Sequence, residues 1–191
     1  MIIVAIIGIL AAVAVPSYLA HIRRSRLSEA TGSIAAIKQA EESYFSINNC
    51  YIVAPAHPAA IPVGGTAAWD PIPVGSEAWG NQALAVRPDM NVRFQYRVFA
   101  SNQYTAASNT ACDAPTLARA ASTGAIDALA TASGCPAAPN NVQSALLIPA
   151  AIFPDHWYII TAQANQDGDG TNSILISSID NSNIIMCNDT E

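Results

Sequence analysis

Apolar residues fill the start of the chain and then thin into a stripe. Residues 1–20 read MIIVAIIGILAAVAVPSYLA, with no charge among them. Wound as a helix, this block is about 30 Å long, the thickness of a bilayer's hydrocarbon core. It is too long for the apolar stretch of a signal peptide, and no basic residue precedes it. From Leu27 to Tyr44 the apolar positions are Leu27, Ala30, Ile34, Ile37, Ala40 and Tyr44. Spacings of three and four put them on one face, with Glu29, Lys38, Glu41 and Glu42 expected on the other. No turn signal separates the two blocks. The pattern therefore predicts one helix to about Ser46, ended by Asn48 and Asn49, with Gly32 the soft point of its second half. Residues 1–20 are its apolar half, suited to a membrane or to burial among other chains, 21–46 its amphipathic half, and 47–191 a globular head.

The head's pattern has a period of two. Val92, Phe94, Tyr96 and Val98 alternate with Arg93, Gln95 and Arg97, which predicts a strand over Val92–Ala100. Further strands are expected at His156–Ala164 and Ser173–Ile179, joined by the loop NQDGDGTN, and a short one at Ile184–Cys187. Thr116–Ser133 reads as an alanine-rich helix ended by Gly134. Residues 54–80 hold Pro55, Pro58, Pro62, Pro71 and Pro73, and read as a loop pinned to the helix or sheet by Trp69 and Trp79. The fold class is α+β: a long N-terminal helix packed on a C-terminal antiparallel sheet, with long loops.

Composition sharpens this reading. Charged residues are only 12% and hydrophobic ones 51% of 191 residues, which is unusual for a free soluble protein. Eight basic residues against fourteen acidic ones leave no footprint for nucleic acid. Arg23, Arg24 and Arg26 directly follow the apolar block, as a membrane-surface contact or a filament salt-bridge site would. Cys50, Cys112, Cys135 and Cys187 are too widely spaced for a zinc knuckle or a C-x-x-C pair. They read as two disulfides formed in an oxidising compartment, against the alternative of four buried thiols. Three pairings are open; Cys112–Cys135 and Cys50–Cys187 are the preferred set. The arginines alone would keep the head in the cytoplasm, but the cysteines place it outside.

No catalytic constellation converges. His21, His57 and His156 are far apart, and no G-x-S-x-G or phosphate loop is present. No cofactor is expected. The exception to weigh is calcium at Asn165, Asp167 and Asp169, which alternate before Gly170 like the first half of an EF-hand loop. The second half fails, because Ile176 stands where a bidentate glutamate is needed. A plain hairpin turn is the preferred reading, since Asp-Gly and Asn are common turn residues.

The run MIIVAIIGILAAVAVPSY resembles the start of type IV pilins and pseudopilins, over Met1 to about Arg26. Gly8 and Pro16 fall where that family has its helix-softening glycine and proline. The family's cleavage glycine, N-methylated aromatic and glutamate would precede Met1. The resemblance implies a structural subunit, a major pilin, that polymerises with itself into a helical extracellular pilus on a bacterial surface. Its filament-core residues would be Ile3, Ile6, Ile7, Gly8, Leu10, Val13, Pro16 and Tyr18. Before assembly it would wait in the inner membrane for the pilus assembly machinery. The alternatives are a minor pilin or pseudopilin of a secretion or adhesion system, and a membrane-anchored domain that never polymerises.

Overall fold

The computed structural model describes residues 2–72, 76–80, 83–88, 91–103, 119–133, 156–179 and 183–188. Helix α1 spans Ile2–Asn48 and is unbroken through Gly8, Pro16 and Gly32. It stops where the asparagines forecast. Asn49 adopts a left-handed φ of 57°, its N–H donates to Phe45 O at 2.7 Å, and Asn48 Nδ2 donates to Tyr44 O at 3.1 Å. Asparagine tolerates this conformation better than other side chains, so the last carbonyls are capped without strain.

The head is a six-stranded sheet between two helices. Its strands are β1 (Ile52–His57), β4 (Gln95–Ala100), β5 (Asn102–Gln103), β6 (Tyr158–Ala164), β7 (Ser173–Ser178) and β8 (Ile185–Cys187), in the order β5-β1-β4-β6-β7-β8. All neighbours are antiparallel except β1 and β5. A small ladder joins β2 (Ala67–Ala68) to β3 (Asn91–Val92). The predicted strand Val92–Ala100 is thus divided: Val92 pairs with the small ladder, Arg93 and Phe94 bend, and β4 begins at Gln95.

Strand β1 is a correction to the sequence reading, which left residues 54–80 as loop. Pro55 hides the strand. The β1–β4 register passes from Ala54↔Val98 to His57↔Tyr96, an irregularity of one residue that takes in Pro55. A bulge of this kind is where a sheet accepts a residue with no N–H to donate. The two tryptophans do pin the segment that follows. Trp69 and Trp79 are fully buried edge to face, 5.4 Å between centroids, and Trp79 Nε1 donates to Pro55 O at 2.7 Å.

The period of two sorts the core into two faces. Tyr96, Val98, Tyr158, Ile160, Ala162 and Leu175 face α1 and pack with Ala30, Ile34, Ile37 and Tyr44. Phe99, Trp157, Ile159, Ile174, Ile176 and Cys187 form the other layer, closed by Ile126 and Ala130 of α2 (Arg119–Ala132). Helix α2 lies within the predicted Thr116–Ser133; Thr116 and Gly134 are outside the described residues. The ends of the α1–sheet interface are tied by polar contacts. At one, Glu29 accepts from Arg93 N and pairs with Arg93 Nε at 3.3 Å. At the other, the Tyr158 hydroxyl donates to Glu42 at 3.3 Å.

Candidate functional site

Head packing along α1 begins at Leu27. Residues 2–26 therefore project beyond it, over about 37 Å of helix. Among the described residues nothing covers this projection. Ile2, Ile3, Val4, Ile6, Ile7, Ile9, Leu10, Val13, Val15 and Tyr18 are all 52–78% exposed. Burying ten such side chains would yield on the order of 10–20 kcal/mol. An apolar surface this large on one helix marks an interaction site rather than ordinary exposure.

Of the sequence-selected residues, Ile3, Ile6, Ile7, Gly8, Leu10, Val13 and Tyr18 are all on this exposed surface. A Cβ placed on Gly8 would meet nothing within 4 Å, so within a single chain nothing requires glycine there. Pro16 lies in α1, but its side chain is outside the described residues. Arg24 is exposed and Arg26 half-buried, both within the turn that precedes the head packing at Leu27. Among the described residues, no helix is long and apolar enough to cross a membrane. The described apolar side chains of Ile2–Val15 span about 21 Å, whereas the uncharged run in the sequence continues to Ala20.

The remaining candidates behave differently. Cys50 and Cys187 are both disulfide-bonded, and among the described residues no cysteine is free. The strand order argues against the preferred Cys50–Cys187 pairing. Cys50 precedes β1 and Cys187 ends β8, with β4, β6 and β7 between those strands. Four inter-strand steps amount to about 19 Å, whereas bridged Cα atoms lie within about 7 Å. Cys112 and Cys135, and hence the preferred bridge between them, fall outside the described residues. Peptide mapping without reductant is expected to recover Cys50 and Cys187 in two separate bridges. Recovery of a single Cys50–Cys187 peptide would overturn this strand order.

The loop 165–172 joins β6 to β7 as a hairpin connection, with Ala164 paired to Ser173. Its oxygens serve the backbone. Asn165 Oδ1 accepts from Gly168 N at 2.7 Å, Asp167 Oδ1 from Asp169 N at 3.1 Å, and Asp169 Oδ1 from Thr171 N at 2.7 Å. Gly168 and Gly170 take φ of 79° and 93°, which the turns require. The geometry of a turn therefore accounts for Asn165, Asp167 and Asp169. Melting the head with several millimolar calcium is expected to leave its midpoint unchanged. A rise that vanishes on replacing Asp167 and Asp169 with asparagine would instead establish a calcium site.

The three histidines stay apart. His21 is exposed on α1, His57 is buried with Nε2 2.6 Å from Trp69 O, and His156 meets the edge of Phe45. Among the described residues no group of three or more metal-ligating side chains converges. Burial pushes the Tyr96 hydroxyl up to about 12, with the neighbouring Ser33 side chain lowering it and the Glu29 carboxylate raising it.

A stretch of 51 residues, 27% of this chain, is 47% identical to the type IV major pilin protein PilA of Myxococcus xanthus strain DK1622. The chain is pilin-like over that stretch. The match covers 23% of the Myxococcus protein's length. No family model matches the chain, and no solved structure matches it.

One buried group was missed by the sequence reading. Glu41 was placed on the solvent face, yet it is fully buried. The signal was present in the spacing. The buried positions Ala30, Ile34, Ile37, Glu41 and Tyr44 are spaced four, three, four and three, whereas Ala40 is only half-buried.

Proposed function

We propose that this chain is a structural subunit, a major pilin, that polymerises through α1 into an extracellular type IV pilus. The observation that carries this reading is the uncovered apolar projection of α1. A helix of this kind is soluble only in a membrane or among its own copies, and a helical homopolymer supplies the latter. Ile3, Ile6, Ile7, Leu10, Val13 and Tyr18 form the filament core, with Gly8 and Pro16 softening the helix within it. Before assembly the uncharged run to Ala20 lies in the inner membrane, with Arg24 and Arg26 at its surface, and the pilus assembly machinery draws it out. The similarity to a major pilin supports the same reading. The head is a packing and display unit, and no enzymatic role is assigned to it.

The test is cell-surface shearing followed by mass spectrometry. A dominant band of this chain in the sheared fraction is the expected result. A trace amount would assign it instead to a minor pilin or pseudopilin. Its absence from that fraction, with the chain retained in the membrane, would overturn polymerisation.

A further inference from the structure

Glu41 occupies a place in α1 that a charged carboxylate fits poorly. Its side chain has no solvent contact. Oε2 accepts one hydrogen bond, from Ile52 N at 3.2 Å, and Oε1 has no partner. Ile52 is the first residue of β1, so this contact joins the end of α1 to the strand that follows it. The titratable groups around it compensate elsewhere. On α1, Lys38 Nζ donates to Ser178 O at 2.8 Å, and Glu42 brings a second carboxylate beside Glu41. In the link to β1, the Tyr51 hydroxyl donates to Glu42 at 3.2 Å, as the Tyr158 hydroxyl of β6 does at 3.3 Å. His156, before β6, faces Phe45. The hydrogen-bond partner of Glu41 among the described residues is thus a neutral amide, and the Glu42 carboxylate repels its charged form.

We propose that Glu41 is a proton-dependent latch, which fastens the end of α1 to β1 as a neutral carboxylic acid and releases it when the proton is lost to solvent. The anion would be buried with one oxygen unpaired, beside Glu42, so ionisation must either draw water into the joint or move the helix end off β1. Burial raises the Glu41 acid well above the ordinary carboxylate range; the Ile52 amide opposes this less strongly, and Glu42 adds to it. The sign follows from linkage. A carboxyl whose folded value is raised holds its proton better in the folded state than in the unfolded one. Its contribution is fully present below the unfolded value, about 4.3. It is lost as pH rises from there through the folded value. The latch therefore closes in acid and opens toward alkaline pH, and in a filament it would set how firmly each head is held on its helix.

The full chain in detergent micelles tests this, with the head melted from about pH 5 to about pH 9. The wild-type midpoint is expected to fall as pH rises, while Glu41→Gln, which keeps the shape and the acceptor for Ile52, stays nearly level. The gap should widen with pH by at least about 3 °C. Parallel curves would overturn the proposal. Infrared difference spectra of wild type minus Glu41→Gln at neutral pH supply a reading independent of stability. A protonated carboxylic carbonyl band is expected; ionised carboxylate bands in its place would equally overturn it. Neither measurement requires filaments, so failure here is distinct from failure of the pilin reading.

Discussion

Ile7→Asp is expected to abolish filaments while leaving the head folded. Ile7 is 60% exposed on the projecting half of α1, about 30 Å of helix from Leu27, where the head begins. In the single chain the aspartate stays hydrated and disturbs nothing. In a bundle of copies it is stripped of water with no cation opposite, since no residue of the apolar run carries charge. Burying an unpaired carboxylate costs several kcal/mol at each subunit, and a helical polymer repeats that cost along its length. Electron microscopy of sheared material should show no filaments, and the head's melting midpoint should match wild type. Normal filaments from this variant would mean that the projecting helix is not the filament core. Loss of filaments together with loss of the folded head would point to misfolding instead, which the melting measurement detects.

Trp79→Ala is expected to destabilise the head by about 3–5 kcal/mol, the range for removing a large buried side chain. Trp79 is fully buried, stands edge to face with Trp69, and donates Nε1–H to Pro55 O at 2.7 Å. It lies between a bulged strand and a proline-rich segment with little regular pairing of its own. Truncation leaves a cavity and strands the Pro55 carbonyl. Measured against a total stability of about 5–15 kcal/mol, the loss is a large fraction. Trp79→Phe keeps most of the packing and removes only the donor, so a smaller loss of about 1–3 kcal/mol is expected. Denaturant melts of both variants in detergent check the pair. Equal losses would mean that the hydrogen bond rather than the packing carries the effect. A loss below about 1 kcal/mol for Trp79→Ala would remove Trp79 from the core.

The sequence by itself determined the helix, most of the strands and the exposed apolar surface. The uncharged run and the spacing from Leu27 to Tyr44 need no partner to be read, because a helix's period is local. The stop at Asn48–Asn49, the turn at Asp167–Gly170 and the alternation in β4 were legible for the same reason. They depend on residues a few positions apart. The projecting surface was legible because an uncharged run is read from adjacent residues alone.

What the tertiary structure decided lies wherever the answer depends on distant residues. Strand β1 was hidden by Pro55, since a proline argues against a strand until a bulge opposite β4 is known to accommodate it. The pairing Cys50–Cys187 was disfavoured by strand order, which no spacing along the chain contains. The division of the core into an α1 layer and an α2 layer likewise appeared only when the sheet was assembled. Glu41 stands between the two cases. Its position on the buried stripe was written in the helical period, but its acceptance there depended on the Ile52 amide brought back by the turn at Asn49. A carboxyl is read as solvent-facing because burying its charge is costly, and only the assembled joint shows a site suited to the neutral acid.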